Sequence, residues 1–223
     1  MITIVTCTYF SKEHRGEERM ENCRASIQSW IRLLKYPEIA IHVADDGSDA
    51  DLWQRFCEYH RGIRITYSQQ QRQGIGASLN AGLDQAWSTG LALYIQDDLL
   101  LEQQIDLTFP ASVLRDRDYL AAVRIGLPHP NTTGEWEHWP NSHRRDSMAM
   151  ILEPHHYVMT FRPFLAHRRM QQLGQYLIGV SAEQCERDFN ERFCRGELRV
   201  AQWFPSPWYH QHVVDLGRLE PCT

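Results

Sequence analysis

Two pairs of adjacent aspartates could do chemistry, because each follows a short apolar segment that is typical of a buried strand. Asp45-Asp46 comes after residues 39–44, and Asp97-Asp98 comes after an equally apolar run. Carboxylates at the end of a buried strand must face water or meet a cation, because burying unpaired charge is costly. A hard divalent cation such as Mn²⁺ or Mg²⁺ meets that need, and it can also bridge phosphates. The pairs therefore indicate a metal and phosphate site, with a solvated Asp-rich turn as the alternative for each.

The elements that must position these pairs alternate regularly over the first hundred residues. Apolar spacing predicts strands and helices in alternation, over 2–8, 21–34, 39–44, 51–60, 63–67, 76–88 and 91–95. This β-α-β-α-β-α-β order predicts an α/β fold with a mostly parallel, Rossmann-like sheet flanked by helices. In such sheets ligands bind at the carboxyl ends of the strands. Both aspartate pairs follow strands at that edge, so we expect them to lie near one ligand.

The second half of the chain is less regular and is expected to complete the same domain. Helix and strand signals are mixed over 107–123. The predicted elements are a strand over 119–125, a helix over 182–195 and a strand over 198–203. Residues 126–147 are predicted as a long loop without structure of its own, which is typical of a lid or binding loop. Trp136 and Trp139 lie in this loop, and flat apolar faces of this kind can stack on a sugar ring.

Composition favours one globular domain and argues against some classes of protein. The chain has 223 residues, of which 43% are hydrophobic, enough for a single domain with a full core. Its net charge is −5, whereas proteins that bind nucleic acid through phosphate contacts usually carry a basic excess. No apolar run approaches the ~20 residues that span a bilayer, and no signal peptide is visible. The six scattered cysteines are therefore expected to be reduced thiols in a cytoplasmic protein.

Five features of the first half resemble family 2 glycosyltransferases of the A-type fold, in the family's order and spacing. They are Thr8-Tyr9, Glu21 in the first helix, Asp-Asp-Gly-Ser at 45–48, Gly-Ile-Gly-Ala-Ser-Leu-Asn at 74–80 and Gln-Asp-Asp at 96–98. Such a combination is more specific than any single motif. The resemblance implies one A-type domain over 1–223, in which 1–100 binds a nucleotide-sugar donor. Residues 101–223 would bind the acceptor, carry catalysis and end in a closing segment. It also implies transfer from a nucleoside-diphosphate-sugar, preferably a UDP-sugar, with inversion and with Mn²⁺ or Mg²⁺.

The resemblance also implies roles for individual residues. The donor-binding residues that it implies are Cys7, Thr8, Tyr9, Asp45, Asp46, Arg72, Gly76 and Asp97. Among them, Asp46 is expected to hold a uracil-type base, and Asp45 is expected to support its turn. Asp98 is implied as a metal ligand, with Asp97 on the ribose or the metal. Gln96 departs from the family's first acidic position in this motif, which leaves the expectation of a metal in place.

An inverting transfer needs a carboxylate that deprotonates the acceptor hydroxyl. The resemblance implies that this base lies in the acidic segment 182–193. Alignment on the family's Leu and Arg puts Glu186 at the base position, with Asp188 two residues beyond it and Glu183 as the alternative. A surface helix, whose acids pair with arginines one turn away, is an equally open interpretation of this segment.

The tail of the chain resembles the segment that closes many domains of this family. Residues 205–212 contain a Pro-Ser pair followed by a histidine, His212. In several relatives such a histidine reaches back to the metal. His212 is therefore a second implied metal ligand.

Two other functions compete with this interpretation. A nucleotidyltransferase would need a Gly-rich, basic loop directly after the first strand, whereas residues 9–16 contain one glycine. A non-catalytic sugar-nucleotide-binding protein would keep the donor half without the base. The acceptor is expected to be a glycan or another hydroxyl-bearing molecule, with Trp136 and Trp139 as its expected contacts. A nucleic acid acceptor is disfavoured by the acidic net charge.

Overall fold

The structure is a computed structural model that describes residues 1–126, 134–138, 148–152, 161–203 and 213–215. Its strands are β1 (Ile2–Thr8), β2 (Leu34–Lys35), β3 (Ile39–Asp45), β4 (Ile65–Gln69), β5 (Leu91–Tyr94), β6 (Leu99–Leu101), β7 (Ile105–Asp106), β8 (Leu120–Ile125), β9 (Gly134–His138), β10 (Met148–Leu152), β11 (Phe164–His167), β12 (Arg199–Trp203) and β13 (Val213–Asp215). Its helices are α1 (Gly16–Leu33), α2 (Ala50–Tyr59), α3 (Ile75–Trp87), α4 (Thr108–Asp116) and α5 (Ala182–Arg195), with short 3-10 helices at Lys12–His14 and Arg168–Leu173.

Nine strands form one sheet in the order β4-β3-β1-β5-β11-β8-β12-β10-β9. Strand β1 lies parallel between β3 and β5, and β4 extends this parallel set at one edge. Of these nine strands, β11 and β10 run against the common direction, because each pairs antiparallel with both of its neighbours. The predicted α/β fold with a mostly parallel sheet is therefore confirmed.

Both faces of the sheet are covered by helices, which explains why the central strands are apolar throughout. Successive side chains of a strand point to opposite faces. On β1, Ile4 belongs to the core that contains Trp30 of α1, whereas Val5 belongs to the core that contains Leu79 of α3 and Phe189 of α5. Packing on both faces fixes the carboxyl ends of the strands relative to α3 and α5.

Helix α1 begins at Gly16, whereas the sequence predicted a start at residue 21. Its first turn contains Glu17, Glu18 and Arg19, which are exposed, so the apolar periodicity gives no signal there. Acidic side chains are favourable at this end of a helix because they interact with the macrodipole. The earlier start matters for the site, because it brings Arg19 to the carboxyl end of β5.

The helix predicted over 182–195 is found with those bounds as α5. A capping box begins it: the Ser181 hydroxyl accepts from the Gln184 amide at 3.2 Å, and the Gln184 side chain accepts from the Ser181 amide at 3.1 Å. This arrangement satisfies two backbone donors that a helix start otherwise leaves unpaired. The acidic segment that was expected to contain the base therefore has a fixed starting point.

The prediction of a loop without structure over 126–147 is wrong for part of this segment. Residues Gly134–His138 form β9, which pairs antiparallel with β10, and β10 pairs in turn with β12. A Cβ on Gly134 would lie 2.2 Å from the Ile151 carbonyl oxygen, so the two backbones approach closely there. Pairing with a strand distant in the chain decides this element, and local composition does not reveal it.

In the described ranges, no helix is both long enough and apolar enough to span a bilayer.

Candidate active site

The carboxyl ends of β1, β3 and β4 meet at Asp45, which lies in register with Thr8 on one side and Gln69 on the other. Its buried carboxylate accepts hydrogen bonds from the Thr8 hydroxyl at 3.1 Å, the Ser48 amide at 2.9 Å and the Gln69 side chain at 3.1 Å. The Gly47 amide at 3.2 Å and the Ser48 hydroxyl also donate to it. Asp45 thus joins three strand ends, which is the geometry that a supporting role requires.

The turn after β3 is packed tightly against the loop that follows β4. Gly47 has φ +83°, and a Cβ there would lie 2.9 Å from the backbone nitrogen of Arg72 and 3.2 Å from the Gln70 carbonyl oxygen. Glycine is therefore needed both for the left-handed backbone and for the close approach. On the other side of the turn, the Ser48 hydroxyl accepts the Phe10 amide at 2.7 Å.

The second aspartate of this pair, Asp46, points to the start of α3. Its carboxylate accepts the Gln73 amide at 2.8 Å and the Gly74 amide at 2.9 Å. Gly74, at φ +88°, caps α3 with its backbone alone. A carboxylate at a helix N-terminus is stabilised by the unpaired amides and the macrodipole. Asp46 therefore fixes the loop at 70–74, and a base bound at Asp46 would share the carboxylate with these amides.

Tyr9 and Arg72 form the outer side of this region. The guanidinium of Arg72 lies 4.3 Å from the centroid of the Tyr9 ring, and one of its nitrogens donates to the Tyr9 hydroxyl at 2.8 Å. Tyr9 is half-buried and Arg72 is exposed. The structure thus brings two predicted donor-binding residues together through a cation–π contact.

The other aspartate pair follows β5. Asp97 is buried, its Oδ2 lies 3.5 Å from an Arg19 guanidinium nitrogen, and this oxygen has no hydrogen-bond partner among the described residues. Burial raises the pKa of Asp97 to about 6; neighbouring Asp98 adds to the rise and Arg19 opposes it. Burying an unpaired carboxylate is costly, and among the described residues Arg19 is a cation that offsets this buried charge. Asp98 beside it is half-buried.

Cys7 connects the two aspartate pairs. Burial raises the pKa of its thiol, and the negative charges of Asp97 and Asp46 raise that pKa further. Strand β1 lies between β3 and β5, so the pairs that follow those two strands lie on either side of the end of β1, where Cys7 is located. The structure thus places the two pairs at one edge of the sheet, and their contact with one ligand stays a prediction.

A divalent metal would need oxygen ligands in this part of the site. Asp97 and the adjacent Asp98 carry carboxylates of the kind that a hard cation prefers, although the Oδ2 of Asp97 already lies 3.5 Å from the Arg19 guanidinium. In the part of the chain that the structure describes, no three His, Cys, Asp or Glu side chains form a group that could hold a metal. His212, the other implied ligand, lies outside the described residues. The described side chains alone therefore form no complete metal site, and metal binding stays a prediction.

Gly76 and Asn80 of α3 hold the segment that leads to α5. A Cβ on Gly76 would lie 1.9 Å from the Leu177 carbonyl oxygen, so close packing explains this glycine, and contact with the donor stays a prediction. The Asn80 side chain donates to the Tyr176 carbonyl at 2.9 Å and accepts the Tyr176 amide at 2.8 Å. Neither Leu177 nor Tyr176 was predicted from sequence as a partner of α3, because both lie far along the chain in an irregular segment.

The three candidates for the base on α5 have different environments. Glu183 is 80% exposed and pairs with Arg187 at 2.6 Å. Asp188 pairs with Arg192 at 2.6 Å. These are the two i,i+4 ion pairs that the surface-helix interpretation predicted. Glu186 has no such ion pair and is half-buried, and its Oε1 accepts the backbone amide of Phe161.

Glu186 also lies in a distinct electrostatic environment. Burial raises the pKa of its carboxyl group, and the Phe161 amide, Arg162 and Arg124 offset part of that rise. Arg124 is a buried cation at the end of β8, and burial lowers its pKa to about 10. Sequence analysis did not select Arg124, although a single arginine in the otherwise apolar run Leu120–Ile125 was a usable signal.

An aromatic cluster lies on the α5 side of the sheet, and Cys7 packs against it. The ring of Phe161 packs against Tyr94 and Tyr176, with centroids 6.3 and 5.8 Å away. The ring of Tyr176 stacks on Phe189 of α5 with centroids 4.1 Å apart. Burial raises the pKa of the Tyr94 and Tyr176 hydroxyl groups. Packed aromatic rings thus connect β5 with α5.

Of the two tryptophans that are predicted to contact an acceptor, one lies within the described residues. Trp136 lies in β9, where its Cα pairs in register with Met150, so it is part of a strand and not of a loop. Trp139 lies outside the described residues. Their contact with an acceptor therefore stays a prediction.

Three solved structures share the fold of this chain. Mannosyltransferase PcManGT from Pyrobaculum calidifontis, in complex with GDP-Man and Mn²⁺, is 14% identical, with a TM-score of 0.50 over 95% of this chain and 58% of its own. S. aureus TarS 1–349, in complex with UDP-GlcNAc, is 17% identical, with a TM-score of 0.56 over 95% and 60%. GalNAc-T7, with UDP, GalNAc and Mn²⁺, is 13% identical, with a TM-score of 0.59 over 92% and 43%. The chain thus spans less than two thirds of each of these relatives.

Sequence comparison identifies the family. No curated protein matches the chain. The profile described as glycosyl transferase family 2 matches residues 3–170, which is more than half of the chain and extends from β1 through β11. The matched range includes both aspartate pairs and the loop at 70–74. This chain is a member of glycosyl transferase family 2.

Proposed function

We propose that this protein transfers a sugar from a nucleoside-diphosphate-sugar to an acceptor hydroxyl. The observation that carries the proposal is that the two aspartate pairs follow β3 and β5, the parallel neighbours of β1, at the carboxyl edge of the sheet in a chain of this family. The relatives' structures support the class of donor, since they contain UDP-GlcNAc, UDP or GDP-Man. Two of the three relatives that we compare contain uridine nucleotides, which favours a UDP-sugar.

The donor would lie along the ends of β1, β3 and β5. Tyr9 and Arg72 would cover the base, with Asp46 beneath them and Cys7 and Thr8 forming the floor. Asp45 would act indirectly, because its carboxylate is already occupied by the turn and the neighbouring strands. Gly76 would present only backbone to the donor.

Asp98 would hold Mn²⁺ or Mg²⁺ together with His212, with Asp97 on the metal or the ribose. When bound, such an ion stabilises the negative charge that develops on the departing diphosphate. Mn²⁺ in two of the relatives supports this assignment. Arg19 would hold Asp97 in place from the side of α1.

Glu186 would be the base of an inverting displacement. One of its carboxylate oxygens accepts the Phe161 amide, and the carboxylate would take a proton from the acceptor hydroxyl. Partial burial makes its carboxylate more basic than that of an exposed glutamate. Glu183 and Asp188 are held by arginines, which favours Glu186 among the three.

The test compares binding and turnover in three variants. UDP binding is measured by calorimetry with and without Mn²⁺, and UDP release is measured with UDP-GlcNAc and other UDP-sugars. Glu186→Gln should bind UDP as the wild type does and lose about 10²–10⁴-fold in turnover. Asp98→Asn should lose the part of UDP binding that depends on Mn²⁺. Glu183→Gln is the matched control and should change neither quantity by more than about twofold.

Two results would overturn the proposal. A wild-type protein that binds UDP with Mn²⁺ but releases none from any UDP-sugar is a non-catalytic binding protein. Full turnover by Glu186→Gln would show that another group is the base. A glycan or another hydroxyl-bearing molecule is the expected acceptor, with Trp136 and Trp139 as its contacts. The nucleotidyltransferase alternative finds no support in the family match, and the cytoplasmic location stays a prediction.

A further inference from the structure

Arg124 is a buried cation in the sheet, on the face that packs against the helix of the proposed base, because Ala122 on the same face of β8 belongs to the core that contains Phe189 of α5. It lies near the carboxyl end of β8, where its Cα pairs in register with Phe164 of β11 and Gln202 of β12. Its side chain is only 3% exposed. A guanidinium stays charged even when it is buried, so the interior must compensate it with an anion or with oriented dipoles.

Glu186 supplies the nearby negative charge. Among the described residues, the groups that interact electrostatically with Glu186 include Arg162 from the segment before β11, Arg124 from β8, Tyr176 from the segment before α5, and Glu183 and Cys185 from its own helix. Of the two cations, Arg162 is exposed, so water screens its charge, whereas Arg124 acts through the protein interior.

One short segment connects the two groups geometrically. The amide of Phe161 donates to the Glu186 carboxylate. Two residues later, the Pro163 carbonyl accepts the amide of Ile125, the residue after Arg124, at 3.0 Å. Residues 161–163 therefore touch the base at one end and the end of β8 at the other. The backbone that orients the carboxylate is the same backbone that places the buried guanidinium.

We propose that Arg124 is a positioning residue that keeps the Glu186 carboxylate ionised and oriented towards the acceptor hydroxyl. The proposal rests on the proposed role of Glu186 as the base. The buried positive charge stabilises the carboxylate form, and the Phe161 amide fixes one of its oxygens. Loss of the charge should therefore favour the protonated form, which cannot accept the acceptor's proton.

The pH dependence of kcat/KM tests this inference, with UDP-GlcNAc hydrolysis as the reaction. In Arg124→Gln the acidic limb should move to higher pH by about one unit, which is a tenfold loss of rate on that limb and little change at high pH. Arg124→Lys keeps the charge and should restore most of the limb. Arg187→Gln changes the net charge equally, but its side chain pairs with Glu183, so it is the matched control and should not move the limb.

A folding measurement provides an independent readout. The unfolding of Arg124→Gln, Glu186→Gln and the double variant is compared with that of the wild type in urea. If the two groups are coupled, the double variant should be more stable than the sum of the single effects predicts. Additive effects, or an acidic limb that stays unmoved in a folded Arg124→Gln protein, would overturn the inference. Full activity of Glu186→Gln would instead overturn the proposed base, which keeps the two failures distinct.

Discussion

Replacing Gly47 by alanine should disrupt the donor side of the site, and the structure supplies a matched control. Gly47 and Gly62 both have left-handed backbone, at φ +83° and +91°. A Cβ on Gly47 would lie 2.9 Å from the Arg72 nitrogen, whereas a Cβ on Gly62 would meet nothing within 4 Å. The two substitutions therefore share the backbone strain and differ in the steric clash.

The expected magnitudes follow from this difference. A non-glycine residue in left-handed backbone costs about 1–2 kcal/mol, and both variants share this term. Forcing a methyl group against packed backbone costs about 1–3 kcal/mol more, and only Gly47→Ala has this term. For a chain of this length, about 1 kcal/mol lowers Tm by about 2–4 °C. Gly47→Ala should thus unfold about 2–12 °C below Gly62→Ala.

Thermal unfolding and UDP titration of both variants check this reasoning. The clash should push the loop at 70–72 away from the turn after β3, so Gly47→Ala should also bind UDP more weakly. Gly62 is distant from that turn in the described fold, and Gly62→Ala should bind UDP as the wild type does. Equal Tm values for the two variants would refute the steric argument. Equal UDP affinity despite a lower Tm would refute the link between this turn and the donor.

Two further substitutions probe groups that the fold buries. Asn80→Ala should destabilise the protein by roughly 1–3 kcal/mol for each Tyr176 backbone group left unpaired; urea unfolding measures this, and an unchanged midpoint would contradict it. Burial lowers the pKa of His42 below 6.5. Just below that pH, the unfolded chain therefore binds more protons at this residue than the folded protein does. The free energy of unfolding should thus decrease as pH falls through 6.5. His42→Gln should lose less stability than the wild type between pH 7.5 and 5.5, and parallel losses would exclude His42 as a cause.

Sequence patterns predicted those strands and helices whose formation depends on neighbouring residues. The first parallel strands, α3 and α5 were found close to their predicted bounds, because apolar periodicity and capping are properties of neighbouring residues. The start of α1 was missed because its first turn is polar, and β9 was missed because its partner strand lies distant in the chain. Only the second error concerns an element whose stabilising contacts are distant in the chain.

The candidate site likewise contains residues that the sequence identifies and others that only the fold distinguishes. The aspartate pairs could be found from sequence, because two adjacent carboxylates after an apolar run are a local signal. The resemblance put Glu186 at the base position, but Glu183 and Asp188 stayed competitors because all three lie within two turns of one helix. The fold separates them: two of them meet arginines one turn away, while Glu186 meets the Phe161 amide.

The sequence by itself thus determined the α/β order of the first half, the edge of the sheet that carries the acidic pairs, and the family. Only the tertiary structure decided that Asp45 is occupied by its own turn, that Asp97 meets Arg19, and that Arg124 lies near Glu186. The physical reason is that burial and charge pairing depend on which strands become neighbours. That arrangement is set by the packing of the whole sheet, and no short stretch of the chain encodes it.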